Sequence, residues 1–199
     1  MSSLADREKQ TLLEVARRAL ELAVERREPL ENFPSNEILH RSGGAFVTLR
    51  RRARLRGCVG QLPSKEALVR VVAHCARAAA LEDSRFEPVR QAEVAELEIE
   101  VSVLSGLFVI APEEIEVGKH GLLISLGWQR GLLLPQVAAE HGWAAERFLE
   151  ESCNKAGLGK DAWKDPEARV EAFTAEVFSE SDFGLPAQAR TKPDYSSSV

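Results

Sequence analysis

The chain lacks a surplus of basic residues. Its 31 acidic and 26 basic side chains give a formal charge of −5. General nucleic-acid binding leans on surplus Lys and Arg, so this balance argues against it. No apolar run approaches the roughly 20 residues needed to span a bilayer. The N-terminal stretch Met1-Ser2-Ser3-Leu4-Ala5-Asp6-Arg7 has none of the apolar core of a signal peptide. No membrane association is therefore expected, and the cytoplasm is the expected location. Cysteine is scarce: Cys58, Cys75 and Cys153 are odd in number, widely spaced and form no Cys-x-x-Cys pair. This argues against a zinc ribbon, a thioredoxin-type dithiol and a disulfide framework. There is no His-x-x-x-His and no compact His/Asp/Glu cluster, so no metal site is expected. A Walker A loop, a Gly-x-Gly-x-x-Gly after a strand and a Gly-x-Ser-x-Gly elbow are also missing. Nucleotide hydrolysis, dinucleotide redox chemistry and serine-hydrolase chemistry thus have little support.

What is present suits a globular protein. With 44% hydrophobic and 29% charged residues, 199 residues can bury one sizeable core, or one divided into two lobes. Leu13, Ala16, Leu20, Ala23 and Val24 form an apolar stripe that predicts a helix from about Leu4 to Arg27. Glu14, Arg17, Arg18, Glu21 and Glu25 take its other side. Ser3 and Asp6 have capping-box spacing. Ala45 to Arg52 reads as a strand, Ala53-Arg54 as a hairpin tip and Leu55 to Gly60 as the returning strand. Pro63-Ser64 is placed to open a second helix, with Cys75 in the middle of its apolar stripe.

Leu97 to Val103 alternates cleanly and predicts a strand with one buried face. Leu122 to Leu126 and Leu132 to Leu134 read as two short strands joined through Gly127 to Gly131. Pro135 is suited to the first position of a helix. Ala144 to Ala156 reads as an amphipathic helix with Cys153 inward and Gly157 at its end. A last strand covers about Arg169 to Phe178, with a phase slip between Ala172 and Phe173 that suggests a bulge or a doubly buried stretch. Helices and hairpins without a regular βαβ alternation predict an α+β fold with a mainly antiparallel sheet. The expected domain is 1–183, followed by a mobile tail over 184–199.

The most informative segment is Leu55-Arg56-Gly57-Cys58-Val59-Gly60. Glycine admits unusual backbone angles or the close approach of another group. Period-two geometry puts Arg56 and Cys58 on one face of an extended strand. A guanidinium beside a cysteine favours the thiolate, its reactive form. Arg50, Arg51, Arg52, Arg54 and Arg56 crowd into seven positions. They read either as an anion site or as a solvated hairpin tip that discourages edge pairing. His120, between Lys119 and Gly121, can serve as a general base at a strand entrance or as a structural histidine. Glu98 and Glu100 share one strand face as paired carboxylates or as solvated residues.

The hexapeptide resembles the signature Leu-Arg-Gly-Cys-Ile-Gly of the AMMECR1 family, with Val59 for Ile. Ala79-Ala80 with Asp83-Ser84-Arg85-Phe86-Glu87-Pro88 resembles the same family. So do Glu100-Val101-Ser102-Val103-Leu104, Gly118-Lys119-His120-Gly121-Leu122 and Leu134-Pro135-Gln136-Val137-Ala138. The matches keep the family's order and cover roughly Ala45 to Phe178. The resemblance implies an α+β fold of two lobes with the signature near the cleft between them. It carries the signature onto Arg56, Gly57, Cys58 and Gly60 and the His-Gly pair onto His120 and Gly121. It also implies Memo-like and radical-SAM proteins as partners, and it names no cofactor and no established activity.

Two readings follow. In the first, the protein is an enzyme or enzyme component. Cys58 is the reactive thiol, Arg56 its electrostatic partner or an anion anchor, and His120 the base. Gly57, Gly60 and Gly121 shape the binding surface, and the ligand is a small anion. In the second, the protein is a non-catalytic adaptor whose glycine-rich segment shapes a groove for a peptide or protein, with an apolar patch beside it.

Overall fold

Apolar side chains three and four apart give residues 6–24 one buried face. The computed structural model, which describes residues 3–185, forms α1 (Asp6–Val24) there. Ala5, rather than Ser3, caps it. The Ala5 N–H donates to Glu8 Oε2 at 2.8 Å, and the Ser3 hydroxyl is taken by Glu176 at 2.6 Å. The chain then divides into two compact units: residues 3–103 with 176–185, and residues 104–175.

The first unit continues with the hairpin of β1 (Gly44–Arg51) and β2 (Arg54–Gln61), then α2 (Leu68–Leu81), a 3-10 turn over Gln91–Glu96 and β3 (Leu97–Leu104). β1 lies between β2 and β3, and the last residues of β7 (Arg169–Ser179) follow β3. Ala45, Val47 and Leu49 of β1 alternate into the core, as do Leu97, Ile99, Val101 and Val103 of β3. They meet Leu12, Leu13, Val15, Ala16 and Leu20 of α1 and Val69, Val72 and Ala76 of α2. Full burial of one such Leu, Ile or Val stabilises by roughly 1.5–3 kcal/mol.

Two expectations fail here for tertiary reasons. α2 starts at Leu68 with Ala67 as its cap, not at Ser64. The preceding segment is held instead by cross-chain bonds: Gly43 N–H to Glu66 O, Ser64 N–H to Gly43 O, and a Ser42–Ala67 bridge. Arg17, expected on the polar side of α1, points inward. Its Nε donates to Glu180 Oε1 at 2.8 Å, and Nη1 and Nη2 donate to Val94 O and Leu97 O at 3.1 and 2.7 Å. Glu180, 5% exposed, also accepts the Ile99 N–H at 2.9 Å. A buried charge survives there because each of its acceptors is used.

The second unit holds β4 (Phe108–Val109), β5 (His120–Leu126), β6 (Gln129–Leu133), α3 (Pro135–Glu140), α4 (Ala145–Lys155) and residues 169–175 of β7. β5 pairs antiparallel with both β6 and β7, and β4 also pairs antiparallel with β7. Leu122, Ile124, Phe148, Leu149, Cys153 and Ala172 form its core. Gly131 lets α4 lie directly on β6: a Cβ there would sit 2.3 Å from Ala156 N and 2.6 Å from Ser152 O. The phase slip in β7 is a run of four buried residues, Val170 to Phe173, and not a bulge. The fold is α+β with antiparallel strand pairing. Of the expected tail, residues 186–199 lie outside the described residues. Leu185 packs on the first core and donates its N–H to Glu180 O. Among the described residues no helix is long and apolar enough to cross a membrane.

Candidate functional site

The hairpin that carries the signature turns at Arg52-Ala53, one residue earlier than expected. Both residues have positive φ, 51° and 63°, the geometry of a two-residue type I′ turn. Leu49 pairs with Gly57 and Arg50 with Leu55, which leaves Arg56 without a partner residue on β1. This bulge breaks the period-two alternation on which the shared face of Arg56 and Cys58 was argued. The Arg56 guanidinium meets Glu93 in a fork, with Nε to Oε1 at 3.0 Å and Nη2 to Oε2 at 3.1 Å. Its Nη1 donates to Glu87 O at 2.9 Å. Among the described residues its hydrogen bonds go to Glu93 and to the carbonyls of Glu87 and Pro88, not to the thiol. The Arg56 fork and the Arg90 N–H hold the Glu93 carboxyl below its usual range.

The two glycines have packing partners. A Cβ on Gly57 would lie 2.1 Å from Ala79 O of α2, and one on Gly60 would lie 2.1 Å from Phe46 Cδ1. Gly121 is similar, with Phe173 Cζ at 2.3 Å from the position of a Cβ. Helix backbone and aromatic rings thus fill the spaces that side chains would need.

Cys58 is half-buried, whereas Cys75 and Cys153 are fully buried. Burial pushes the Cys75 thiol up to about 12 and raises that of Cys153. Both remain neutral thiols. The Cys58 backbone is gripped on the outer edge of β2. Its N–H donates to Asp83 Oδ2 at 2.8 Å, and its carbonyl accepts Arg85 Nη2 at 3.3 Å. Asp83 and Arg85 form a fork of their own, Nε to Oδ1 at 2.9 Å and Nη2 to Oδ2 at 2.7 Å. That fork, with the N–H groups of Cys58 and Arg85, holds the Asp83 carboxyl well below the usual carboxylate range. Because Cys58 bonds outward, its pair with Thr48 on β1 brings the side chains close. Thr48 Oγ1 lies 3.4 Å from Cys58 Sγ and donates to it.

Thr48 shares its strand face with Arg50. Arg50 pairs with Glu100 of β3 at 3.7 Å, so Ser102 of β3 belongs to that face as well. Thr48 and Ser102 are 6% and 1% exposed, and the Ser102 hydroxyl has no partner among the described residues. The remaining arginines of the hairpin are largely neutralised: Arg51 and Arg52 pair with Glu96, and Arg51 also with Glu93.

His120 belongs to the second unit and is 7% exposed. Its Nδ1 accepts the Glu116 N–H at 3.1 Å, so in the neutral ring the hydrogen sits on Nε2. The ring meets Phe108 edge-on at 5.8 Å. Glu116 itself is held low by Lys119.

A sequence profile of the family described as AMMECR1 matches residues 13–178. The chain belongs to the AMMECR1 family. It is 41% identical over 183 residues to a protein of Methanothermobacter thermautotrophicus, covering 87% of this chain and 94% of the relative. It is 43% identical over 183 residues to Protein TK0174 of Thermococcus kodakarensis, covering 85% and 88%. The crystal structure of uncharacterized protein PH0010 from Pyrococcus horikoshii superposes with a TM-score of 0.84 at 39% identity, covering 88% of this chain and 93% of that one.

In this AMMECR1-family protein the signature is therefore a strand fixed by its neighbours, with Cys58 left half-buried. Sequence reasoning missed Asp83 and Arg85 as the clamp, Glu93 as the partner of Arg56, and Thr48 and Ser102 as neighbours on the face of Cys58. Asp83 and Arg85 lie inside a segment that carries the family resemblance, so a signal for them was present. Ser102 likewise lies inside such a segment, whereas Thr48 gave no signal beyond strand alternation. Among the described residues no group of three or more His, Cys, Asp or Glu side chains is arranged to hold a metal.

Proposed function

We propose that this AMMECR1-family protein is an enzyme, or the thiol-bearing component of one, that acts on a small anionic substrate together with Memo-like and radical-SAM proteins. The observation that supports this most is the treatment of Cys58. Among the three cysteines it is the one left partly open, its backbone is immobilised by Asp83 and Arg85, and its sulfur is oriented by the Thr48 hydroxyl. Immobilising a nucleophile on a rigid strand lowers the entropy cost of attack. In this reading Cys58 is the nucleophile; His120 belongs to the other unit, and with Nδ1 occupied by Glu116 any proton it carries moves through Nε2. Arg56 becomes a positioning residue, because its donors serve Glu93 and the carbonyls of Glu87 and Pro88. The adaptor reading calls for an apolar patch at the signature. Among the described residues of the first unit, Leu55 and Val177 are the exposed large apolar side chains, at 39% and 46%.

The test has two parts. Brief alkylation of the native protein followed by mass-spectrometric mapping should label Cys58 ahead of Cys75 and Cys153. An activity screen with both partner proteins present should then lose turnover in Cys58→Ser and His120→Ala, with the thermal midpoint nearly unchanged. Labelling first at a buried cysteine, or substitutions that chiefly lower the midpoint, would make the motif structural and end the enzyme reading.

A further inference from the structure

In the first unit, where α1 and α2 end side by side, a cavity of about 430 Å³ opens against the segment 87–91. This volume lies within the range of small-ligand sites. Ala23, Val24, Leu81 and Val89 contribute apolar side chains to its lining. Two arginines, Arg26 and Arg90, also line it, against one carboxylate, Glu87. The formal charge of the lining is therefore +1 in a protein whose total is −5.

The helix ends beside the cavity are capped within the chain. At the end of α1, Arg27 N–H donates to Leu22 O and Arg26 N–H to Ala23 O, closing a Schellman motif. At the end of α2, Glu82 N–H donates to Ala78 O and Val89 N–H to Ala80 O. With these carbonyls capped, the groups left to act are the side chains. Among the described residues neither Arg26 nor Arg90 has an ion-pair or hydrogen-bond partner for its guanidinium. By contrast, Arg17, Arg51, Arg56 and Arg85 are each engaged by a carboxylate.

Arg26 also stands where a helix ordinarily ends in glycine. It occupies the left-handed position of the Schellman motif, with φ 55°. A side chain at that position works against the backbone, so arginine is kept there at the expense of stability. The opposite wall is fixed by the signature itself, because Arg56 Nη1 donates to Glu87 O at 2.9 Å.

We propose that this cavity is a binding site for a small amphipathic anion. A carboxylate or phosphate monoester would be held by Arg26 and Arg90, with its apolar body against Ala23, Val24, Leu81 and Val89. The site is separate from the Cys58 thiol and does not depend on the reading given to it.

Isothermal titration calorimetry of the full chain tests this with four probes: hexanoate, phenyl phosphate, inorganic phosphate and hexylammonium. Saturable binding of hexanoate or phenyl phosphate, at least tenfold tighter than inorganic phosphate or hexylammonium, is expected. Which of the first two binds identifies the head group. Arg26→Gly should weaken that binding at least tenfold while raising the thermal midpoint by about 2–4 °C, as glycine relieves the backbone. Arg90→Ala should weaken it comparably, and Cys58→Ser should leave it unchanged. The proposal is overturned if neither anion binds, if hexylammonium binds as well as the anions, or if Arg26→Gly binds like the wild type.

Discussion

Replacing Gly57 with alanine asks whether the signature glycine serves packing or ligand approach. The new Cβ would lie 2.1 Å from Ala79 O, where ordinary contact begins at 3.4 Å. Some 1.3 Å of separation must therefore be found between two backbones. Neither yields easily. Ala79 is in the last turn of α2, flanked by Ala76, Ala78 and Ala80 in the core, and Gly57 is paired with Leu49 inside the hairpin. Overpacking of side chains costs about 1–3 kcal/mol, and a clash with a helix carbonyl belongs at or above the top of that range. We expect a loss of about 3 kcal/mol and a fall in the thermal midpoint of about 6–12 °C for a chain of this length. Gly106→Ala is the control, since nothing lies within 4 Å of its added Cβ, and it should stay within about 0.5 kcal/mol of the wild type. Urea unfolding followed by circular dichroism measures both. A Gly57→Ala protein as stable as the Gly106→Ala control would refute the packing account and return the glycine to a role in ligand approach.

Removing one side of the buried Arg17–Glu180 pair, as in Arg17→Met, should cost about 3–5 kcal/mol in urea unfolding, because Glu180 is left charged and unpaired. A loss below about 1 kcal/mol would contradict this. Replacing Arg52-Ala53 by Asn-Gly should stabilise by about 1–2 kcal/mol, since residues suited to positive φ take the turn; an unchanged or lower midpoint would count against the assigned geometry. Asp83 is depressed in the folded state, so its contribution is present above the unfolded value near 4 and is lost as pH falls below it. Asp83→Asn should therefore be less stable than the wild type at pH 7, with the gap narrowing below about pH 4; a gap independent of pH would show that the carboxylate charge is not involved.

Much of this fold was legible from periodicity. The stripes of α1 and α4, the alternation of β3 and the placement of Cys75 and Cys153 in the core follow from spacing, because burial on one face acts on every turn or every second residue. The failures share a cause of a different kind. Arg17 reads as a surface residue until Glu180 arrives from 163 positions away. Ser64 reads as a cap until Gly43 takes its N–H. Arg56 reads as the neighbour of a thiol until a bulge in β2 and the 3-10 turn at Gln91–Glu96 give it Glu93. The glycines were visible, but what presses on them was not: Ala79 is assigned by helix packing, and Phe46 and Phe173 by strand register. For the site, the sequence marked the strand and its thiol, and left the clamp unnamed.

The grip of Asp83 and Arg85 on Cys58 also bears on how the protein behaves at high concentration. Among the described residues β2 ends the row of strands in its unit, and an end strand offers its free N–H and C=O groups to any other extended chain. Here the two such groups of Cys58 are already spoken for by side chains from the same molecule. An incoming strand would have to evict a fully formed carboxylate–guanidinium fork before it could pair at the centre of β2. The clamp therefore works as a guard against unwanted sheet growth between copies, independently of any chemistry at the sulfur. Loosening it by Asp83→Asn should show itself as aggregation during concentration or mild heating.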